Sequence, residues 1–148
     1  MLDTLNPRNT PIGRFSVTVE LANNRDLALL EAGHIPPDRV RRLSVRGVVD
    51  SGAMRLVLPK SVADRLGLPI SGTVGVQYAD GRRGERPLAG DVHLTYGGRS
   101  SVFNAIVEPA REAALIGAIG LKDLDFVVDC VRQTLVPRDP ERIISEIE

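Results

Sequence analysis

The stretch Val48-Val49-Asp50-Ser51-Gly52-Ala53 places a carboxylate directly after an apolar strand segment. Small residues follow it, and these allow another backbone to approach closely. Asp, Ser and Gly are also common turn formers, so this motif alone predicts only a turn. A second apolar pair followed by glycine, Leu115-Ile116-Gly117, stands further along the chain. The sequence therefore contains two units of the same kind, and each leads into a predicted helical stretch.

The hydrophobic pattern around these units is typical of a protein built mostly from β-strands. Apolar and polar residues alternate from Phe15 to Leu21, which predicts a strand with one buried face. Short helices are predicted over Asp26–Ala32 with Asn24 as the cap, over Pro59–Leu66, and around Leu121–Leu124. Further strands are predicted over residues 40–49, 56–58, 74–78, 92–96, 102–107, 126–128 and 134–136. This pattern predicts a small barrel or closed sandwich with one or two short helices.

Length and composition exclude several classes of protein. The 148 residues are 43% apolar and 26% charged, which suits one domain with a substantial core. Basic and acidic residues number 19 each, so no net charge attracts nucleic acid or an anionic membrane. Two tyrosines and three phenylalanines leave little material for stacking on bases. We therefore expect no nucleic-acid partner and no membrane partner.

The cysteine and histidine content bears on compartment and metal binding. Cys130 is the only cysteine, which excludes an intrachain disulfide and a cysteine-rich zinc cluster. His34 and His93 lack further ligands at zinc spacing, so no metal is expected.

Residues 1–8 contain an acid and a proline where a signal peptide has an apolar core. The longest apolar run, Ala113–Leu121, is shorter than the roughly 20 residues of a membrane helix. These features predict a cytoplasmic protein.

The chain is predicted to have three parts. Residues 1–13 are rich in Asn, Pro, Thr and Arg, which predicts a flexible N-terminal arm. Residues 14–137 hold the predicted strands and form the domain. Residues 138–148 predict a C-terminal helical tail, because three isoleucines share one helical face that is able to dock on the domain or on a second copy. Asp125 and Asp129 are predicted at solvent-facing turn or edge positions.

Taken in order, several short motifs resemble the retropepsins, the retroviral-like aspartic proteases. The resemblance runs from about residue 40 to residue 137. It is carried by Val49-Asp50-Ser51-Gly52-Ala53, Leu58-Pro59, Val62-Ala63, Leu66-Gly67-Leu68, Leu115-Ile116-Gly117, Phe126-Val127-Val128-Asp129 and Leu135-Val136-Pro137. It implies a mostly β fold, a small closed barrel of the retropepsin type that is completed by dimerisation.

The resemblance also implies a function. The expected activity is that of an aspartic endopeptidase, which cleaves a polypeptide substrate and uses no cofactor. Asp50 is implied as the catalytic residue, supplied once by each of two identical chains that share a proton and activate water. Ser51, Gly52 and Ala53 are implied to support the active-site loop. Substrate contacts are implied for the flap hairpin and the groove at Tyr78, Ala79, Asp80, Gly81, Leu115, Ile116 and Gly117.

The sequence departs from the retroviral pattern at several positions. Met54 and Ala118 stand where retroviral enzymes commonly carry an acid and a basic residue, so both members of an ion pair are absent together. The flap tip carries arginines in place of a glycine-rich run, and residues 24–38 are an insertion relative to short family members. Arg82, Arg83 and Arg86 are predicted to belong to a solvated loop rather than to bind an acidic substrate residue.

Two alternatives to the endopeptidase remain open. One is a catalytically silent retropepsin-like module for dimerisation or peptide binding, and the other is a regulatory subunit whose tail recruits a second protein. Phosphatases of the haloacid dehalogenase type need a second acid where Gly52 stands. A hydrolase nucleophile elbow around Ser51 needs glycines where Val49 and Ala53 stand. Both of these enzyme classes are therefore excluded.

Overall fold

A computed structural model describes residues 14–148 of the chain. The flexible arm predicted for residues 1–13 lies outside the described residues. The described strands are β1 (Arg14–Asn23), β2 (Arg42–Asp50), β3 (Leu56–Pro59), β4 (Ile70–Gln77), β5 (Arg83–Tyr96), β6 (Arg99–Glu108), β7 (Ala114–Ile116), β8 (Phe126–Asp129) and β9 (Thr134–Pro137). The described α-helices are α1 (Asn24–Glu31), α2 (Lys60–Leu66) and α3 (Ala118–Asp123).

Six strands close into a barrel around one apolar core. Neighbouring strands follow the order β1-β2-β7-β3-β6-β5, and β1 pairs again with β5 to close the ring. Side chains alternate between the two faces of each strand, so every second residue points inward. The buried core includes Val19, Leu21, Val49, Leu58, Val92 and Phe103. This architecture confirms the predicted mostly β closed barrel.

The short strand β7 lies between β2 and β3. It runs parallel to β2, where Val49 pairs with Ile116, and antiparallel to β3, where Val57 pairs with Leu115. Parallel neighbours end at the same edge of a sheet. The ends of β2 and β7 therefore lie side by side, and the two motif units that the sequence contains become direct neighbours.

Two hairpins complete the fold. β4 lies at the end of the sheet and pairs with β5, from Ile70 opposite Ala89 to Gln77 opposite Arg83. This hairpin confirms the turn predicted around Asp80-Gly81 and the strand before it, whereas β5 begins at Arg83, well before the strand predicted over residues 92–96. β8 and β9 form a separate two-stranded sheet, which confirms the predicted closing hairpin.

The helices depart in two respects from the sequence prediction. The described residues contain three α-helices, including the one predicted around residues 121–124, and a 3-10 turn at Pro37–Arg39 that was not predicted. Helices this short carry a weak sequence pattern and depend on tertiary packing, here of the buried Leu121 in α3. The cap of α1 is Asn23 rather than Asn24, because the extended backbone of β1 runs to Asn23 before the chain turns. Gly67 ends α2 with φ +61°, as predicted.

The C-terminal tail is not helical, which corrects the prediction for residues 138–148. Its backbone N–H groups bind side-chain carboxylates instead. Asp139 accepts hydrogen bonds from the N–H groups of Glu141 and Arg142, and Asp125 accepts one from Ile144 at 3.0 Å. Asp125 is itself buried and paired with Arg138 at 2.7 Å, so its predicted solvent-facing position is also wrong. These bonds fix the tail in an irregular path along the domain.

Candidate active site

Asp50 is the last residue of β2 and is held at the edge of the barrel. Its predecessor, Val49, is completely buried in the core, which fixes the direction of the strand end. Across the sheet it pairs with Arg14, the first residue of β1. The Arg14 Nε lies 3.4 Å from Asp50 Oδ2, and both side chains are partly exposed. A carboxylate is thus placed at the surface by two regular strands rather than by a loop.

The residues after Asp50 form a tight turn. The Ala53 N–H donates to the Asp50 carbonyl oxygen at 3.1 Å, and the Gly52 N–H donates to Asp50 Oδ1 at 3.0 Å. A Cβ at Gly52 would approach that carboxylate oxygen to 3.3 Å. Ser51 is exposed at the top of the turn. The Asp-Ser-Gly motif is therefore a turn, as its composition predicts, and it also orients the carboxylate.

Gly117 braces this turn from the neighbouring strand end. A Cβ at Gly117 would lie 2.6 to 2.7 Å from backbone atoms of Met54 and Arg55, so no larger residue fits without moving the loop. The Ala118 N–H donates to the Ala53 carbonyl oxygen at 2.8 Å, and the Ile119 N–H donates to the Met54 carbonyl oxygen at 3.0 Å. The first turn of α3 thus holds the loop that follows Asp50.

A cleft of about 690 Å³ opens beside this loop. One wall is residues 52–55 and a second is residues 75–79 of the β4–β5 hairpin. The remaining wall comes from the ends of β3 and β6, the loop after β6, and β7. The charged and aromatic side chains that line the cleft are Arg55, Tyr78, Arg82, Arg86, Glu108 and Arg111.

The β4–β5 hairpin covers one side of the cleft. Its tight end is closed by hydrogen bonds from the Tyr78 N–H to the Arg82 carbonyl oxygen at 2.8 Å and from the Gly81 N–H to the Tyr78 carbonyl oxygen at 2.9 Å. Gly81 has φ +89°, a conformation that favours glycine. The Tyr78 hydroxyl donates to Glu108 Oε2 at 2.7 Å, and Arg86 Nε donates to Oε1 at 3.0 Å. The hairpin is therefore fastened near its tip to the end of β6. The prediction that Arg86 belongs to a solvated loop is wrong, because Arg86 lies in β5 and pairs with Glu108.

Comparison with protein-family models finds a match to the aspartyl protease family over residues 39–128. The matched range contains the turn at Asp50, the hairpin and the Gly117 brace. This chain belongs to the aspartyl protease family. The retropepsin-like character predicted from the sequence is thereby confirmed. Comparison with curated proteins finds no match.

Comparison with solved structures finds two viral proteases among the matches. The structure of EIAV protease complexed with the inhibitor HBY-793 has a TM-score of 0.54 and 18% identity, and the match covers 75% of this chain and 88% of that one. The solution structure of simian foamy virus (mac) protease has a TM-score of 0.42 and 14% identity, with 53% and 80% covered. The likeness to the EIAV enzyme shows a shared barrel.

In this aspartyl protease family member, hydrogen bonds and burial shift the pKa values of several groups that line the cleft. Burial alone would raise the pKa of Glu108, but the hydrogen bonds from Tyr78 and Arg86 outweigh it and hold that pKa below its usual range. The hydrogen bond to Glu108 raises the pKa of Tyr78. Burial lowers the pKa of Arg111, and the neighbouring charge of Arg14 adds to that effect. Glu108 is thus an ionised, fully engaged group in the cleft wall.

The structure brings together some of the site residues predicted from the sequence and leaves others apart. Ala53, Tyr78, Ala79 and Leu115 line the cleft together with Gly52. Asp50 and Ser51 lie next to this wall without forming part of it. The other four predicted substrate contacts lie outside the wall. Asp80 and Gly81 are at the exposed hairpin tip, Ile116 is in the core, and Gly117 forms the brace.

Sequence reasoning missed several residues of the site. Arg14 reaches Asp50 only through the register of β1 against β2, and no local pattern marks it. Glu108 and Arg111 flank a proline at the end of a strand and have no motif of their own. A buried acid was nevertheless detectable in principle, because Glu108 directly follows the apolar run of β6. Its two partners come from a hairpin that is distant in sequence.

Residues 14–148 contain no group of three or more His, Cys, Asp or Glu side chains arranged to hold a metal ion. No helix within the same range has the length and apolar character needed to cross a membrane.

Proposed function

We propose that this protein is an aspartic endopeptidase whose active site is formed by the Asp50 residues of two identical chains. The observation that carries the proposal is the position of Asp50, at a strand end braced by Gly117 and beside a peptide-sized cleft of about 690 Å³. Membership of the aspartyl protease family supports the same chemistry.

The chemistry explains why two chains are needed. Peptide hydrolysis requires a base that takes a proton from water and an acid that gives one to the carbonyl oxygen of the substrate. One carboxylate cannot do both at once. Two carboxylates held close together cannot both ionise cheaply, so they share one proton and divide the two roles. The chain contains a single Asp-Ser-Gly unit, so a second copy supplies the second carboxylate.

Exposed apolar side chains beside Asp50 support the proposed pairing. Met54 is 66% exposed and Ile119 is 44% exposed, and their backbones are joined by a hydrogen bond of 3.0 Å. They stand next to the loop that a partner chain has to approach. Met54 stands where the retroviral pattern has an acid, so apolar contact replaces an ion pair in the proposed dimer.

The decisive experiment is incubation of the purified full chain with a diverse peptide library across a range of pH, with cleavage read by mass spectrometry. We expect cleavage by the native protein and none by the Asp50→Asn variant. The rate should fall on both sides of a maximum below neutral pH, since only the singly protonated pair is active. Retained cleavage by Asp50→Asn would reject the proposal.

A mixing experiment tests whether two chains form the site. Excess Asp50→Asn protein added to the native protein should suppress activity through mixed dimers, and the specific rate should fall on dilution. Cleavage that stays proportional to protein concentration in a monomeric sample would contradict the pairing. Peptide binding without cleavage would favour the silent peptide-binding module.

We also propose a cytoplasmic location, which the single cysteine supports.

A further inference from the structure

Arginine side chains dominate the charged groups of the cleft wall. Arg55, Arg82, Arg86 and Arg111 line it, and Glu108 is the one carboxylate among the described lining residues. Two of the four arginines already have an anionic partner. Arg86 Nε lies 3.0 Å from Glu108, and Arg82 Nε lies 2.7 Å from Asp80. The wall therefore carries more positive charge than its own acids neutralise.

Arg55 and Arg111 account for the excess. Neither has a carboxylate within 4.0 Å among residues 14–148. Glu108 forms its hydrogen bonds with Tyr78 and Arg86 and none with Arg55 or Arg111. Two guanidinium groups in the same cleft thus have hydrogen-bond donors to offer to a ligand.

Arg111 is better placed than Arg55 to bind an anionic ligand. It is partly buried in the loop between β6 and β7, and its Nε donates to the Ala113 carbonyl oxygen at 2.9 Å. That bond fixes the base of the guanidinium and leaves both terminal nitrogens as donors. An arginine cannot lose its proton in a protein, so a partly desolvated guanidinium gains by meeting an anion. The carboxylate of a bound peptide matches the spacing of its donors.

We propose that Arg111, assisted by Arg55, recognises an aspartate or glutamate side chain of the peptide bound in the cleft. This inference rests on the proposed function, because it assigns a substrate preference to the same site. Arg111 is the specificity-determining residue and Arg55 adds to the local positive charge. Arg111 is distinct from the arginines of the hairpin, for which the sequence predicted a solvated loop, and it lies in a different wall of the cleft.

The inference is tested first by binding, which does not depend on catalysis. The Asp50→Asn full chain is titrated with fluorescent peptide pairs that differ only by glutamate or glutamine, with the changed position scanned along the peptide. At one position we expect the glutamate peptide to bind about tenfold more tightly, as a charge-assisted pair in a partly buried site allows. The preference should shrink as salt is raised. Equal binding of the two peptides at every position would overturn the inference.

Substitutions identify the arginine responsible. In the same background, Arg111→Gln should reduce the glutamate preference to less than twofold, and Arg111→Glu should shift it towards a lysine peptide. Arg83→Gln is the matched control, since Arg83 is exposed on the hairpin and does not line the cleft. It should keep the preference. If Arg111→Gln fails to fold, as judged by circular dichroism, the glutamate preference of Arg55→Gln and the salt dependence of that preference still test the inference. Full preference in both cleft variants would reject the assignment.

Cleavage by the native chain then separates the two proposals. Selective binding of acidic peptides without cleavage of any peptide contradicts the endopeptidase and leaves the recognition by Arg111 in place. Cleavage of neutral and acidic peptides with equal kcat/KM, together with equal binding, contradicts the recognition and supports the endopeptidase.

Discussion

Arg14 and Asp50 face each other across the first residue of β1 and the last residue of β2, with Arg14 Nε 3.4 Å from Asp50 Oδ2. The buried Nε makes no hydrogen bond among the described residues, so the contact is an ion pair without hydrogen-bond geometry. The other carboxylate oxygen accepts the Gly52 N–H. Both oxygens of Asp50 are therefore contacted from opposite sides, which limits the rotation of the carboxylate.

Replacing Arg14 tests whether this contact positions the carboxylate. We expect Arg14→Gln to lower kcat about tenfold with a smaller change in KM, because a slightly misdirected carboxylate slows the reaction more than it weakens binding. Arg46→Gln is the control, since Arg46 lies on β2 and is exposed away from Asp50. A kcat equal to that of the native protein would show that Gly52 and the strand alone orient Asp50.

Gly117→Ala tests the brace behind the loop. The added Cβ meets backbone of Met54 and Arg55 at 2.6 to 2.7 Å, and backbone cannot move aside as a flexible side chain can. We expect a loss of roughly 1–3 kcal/mol in the free energy of unfolding. Peptide cleavage should fall on the order of 100-fold through displacement of the loop.

Gly72→Ala is the matched control for the brace. Gly72 lies in β4, and a Cβ there meets no atom within 4 Å. Its stability and cleavage rate should stay close to native values in denaturant titrations and peptide assays. Native activity in Gly117→Ala would mean that the loop tolerates displacement, and the brace would have no catalytic consequence.

Tyr78→Phe tests the attachment of the hairpin. The change removes the hydroxyl that donates to Glu108 at 2.7 Å and leaves the ring. Loss of one hydrogen bond of about 1 kcal/mol should speed amide hydrogen exchange at residues 75–79 about fivefold. Tyr96→Phe is the control, because Tyr96 packs edge-on against Phe126 at 5.4 Å, outside the hairpin tip. Unchanged exchange in Tyr78→Phe would show that the hairpin is held by other contacts.

Asp26 makes stability depend on pH. The side-chain hydrogen bonds of Arg41 hold the pKa of this buried carboxyl below its usual value, against the opposing effect of burial. The folded protein therefore binds fewer protons at this site than the unfolded chain, so stability falls as pH falls. The contribution is complete above about pH 4, the unfolded value, and is lost as pH drops through the lower folded pKa.

Asp26→Asn should reveal this contribution in urea titrations. We expect it to cost roughly 1–3 kcal/mol at neutral pH, since the paired Arg41 loses its partner, and the difference from native protein should shrink below about pH 4. Asp64→Asn is the control, because that carboxylate is 63% exposed and its pair with Lys60 contributes little. A difference that stays constant down to acid pH would contradict the linkage to Asp26.

The sequence by itself determined the local features of this protein. The alternation from Phe15 to Leu21 predicted β1, and Asp80-Gly81 predicted the hairpin turn. Gly67 predicted the end of α2, and the turn after Asp50 followed from its residue types. Each of these rests on backbone preferences of residues adjacent in the chain, so the sequence contains the information directly.

Tertiary structure alone decided which distant residues meet. Arg14 faces Asp50 through strand register, and Asp125 is buried because Arg138 and a tail amide reach it. The tail follows an irregular path for the same reason, although its isoleucine spacing suits a helix. Glu108 meets Tyr78 and Arg86 only because the fold brings the end of β6 and the β4–β5 hairpin together. Such pairings depend on the closing of long loops and on the competition between whole arrangements of strands, which no local pattern records.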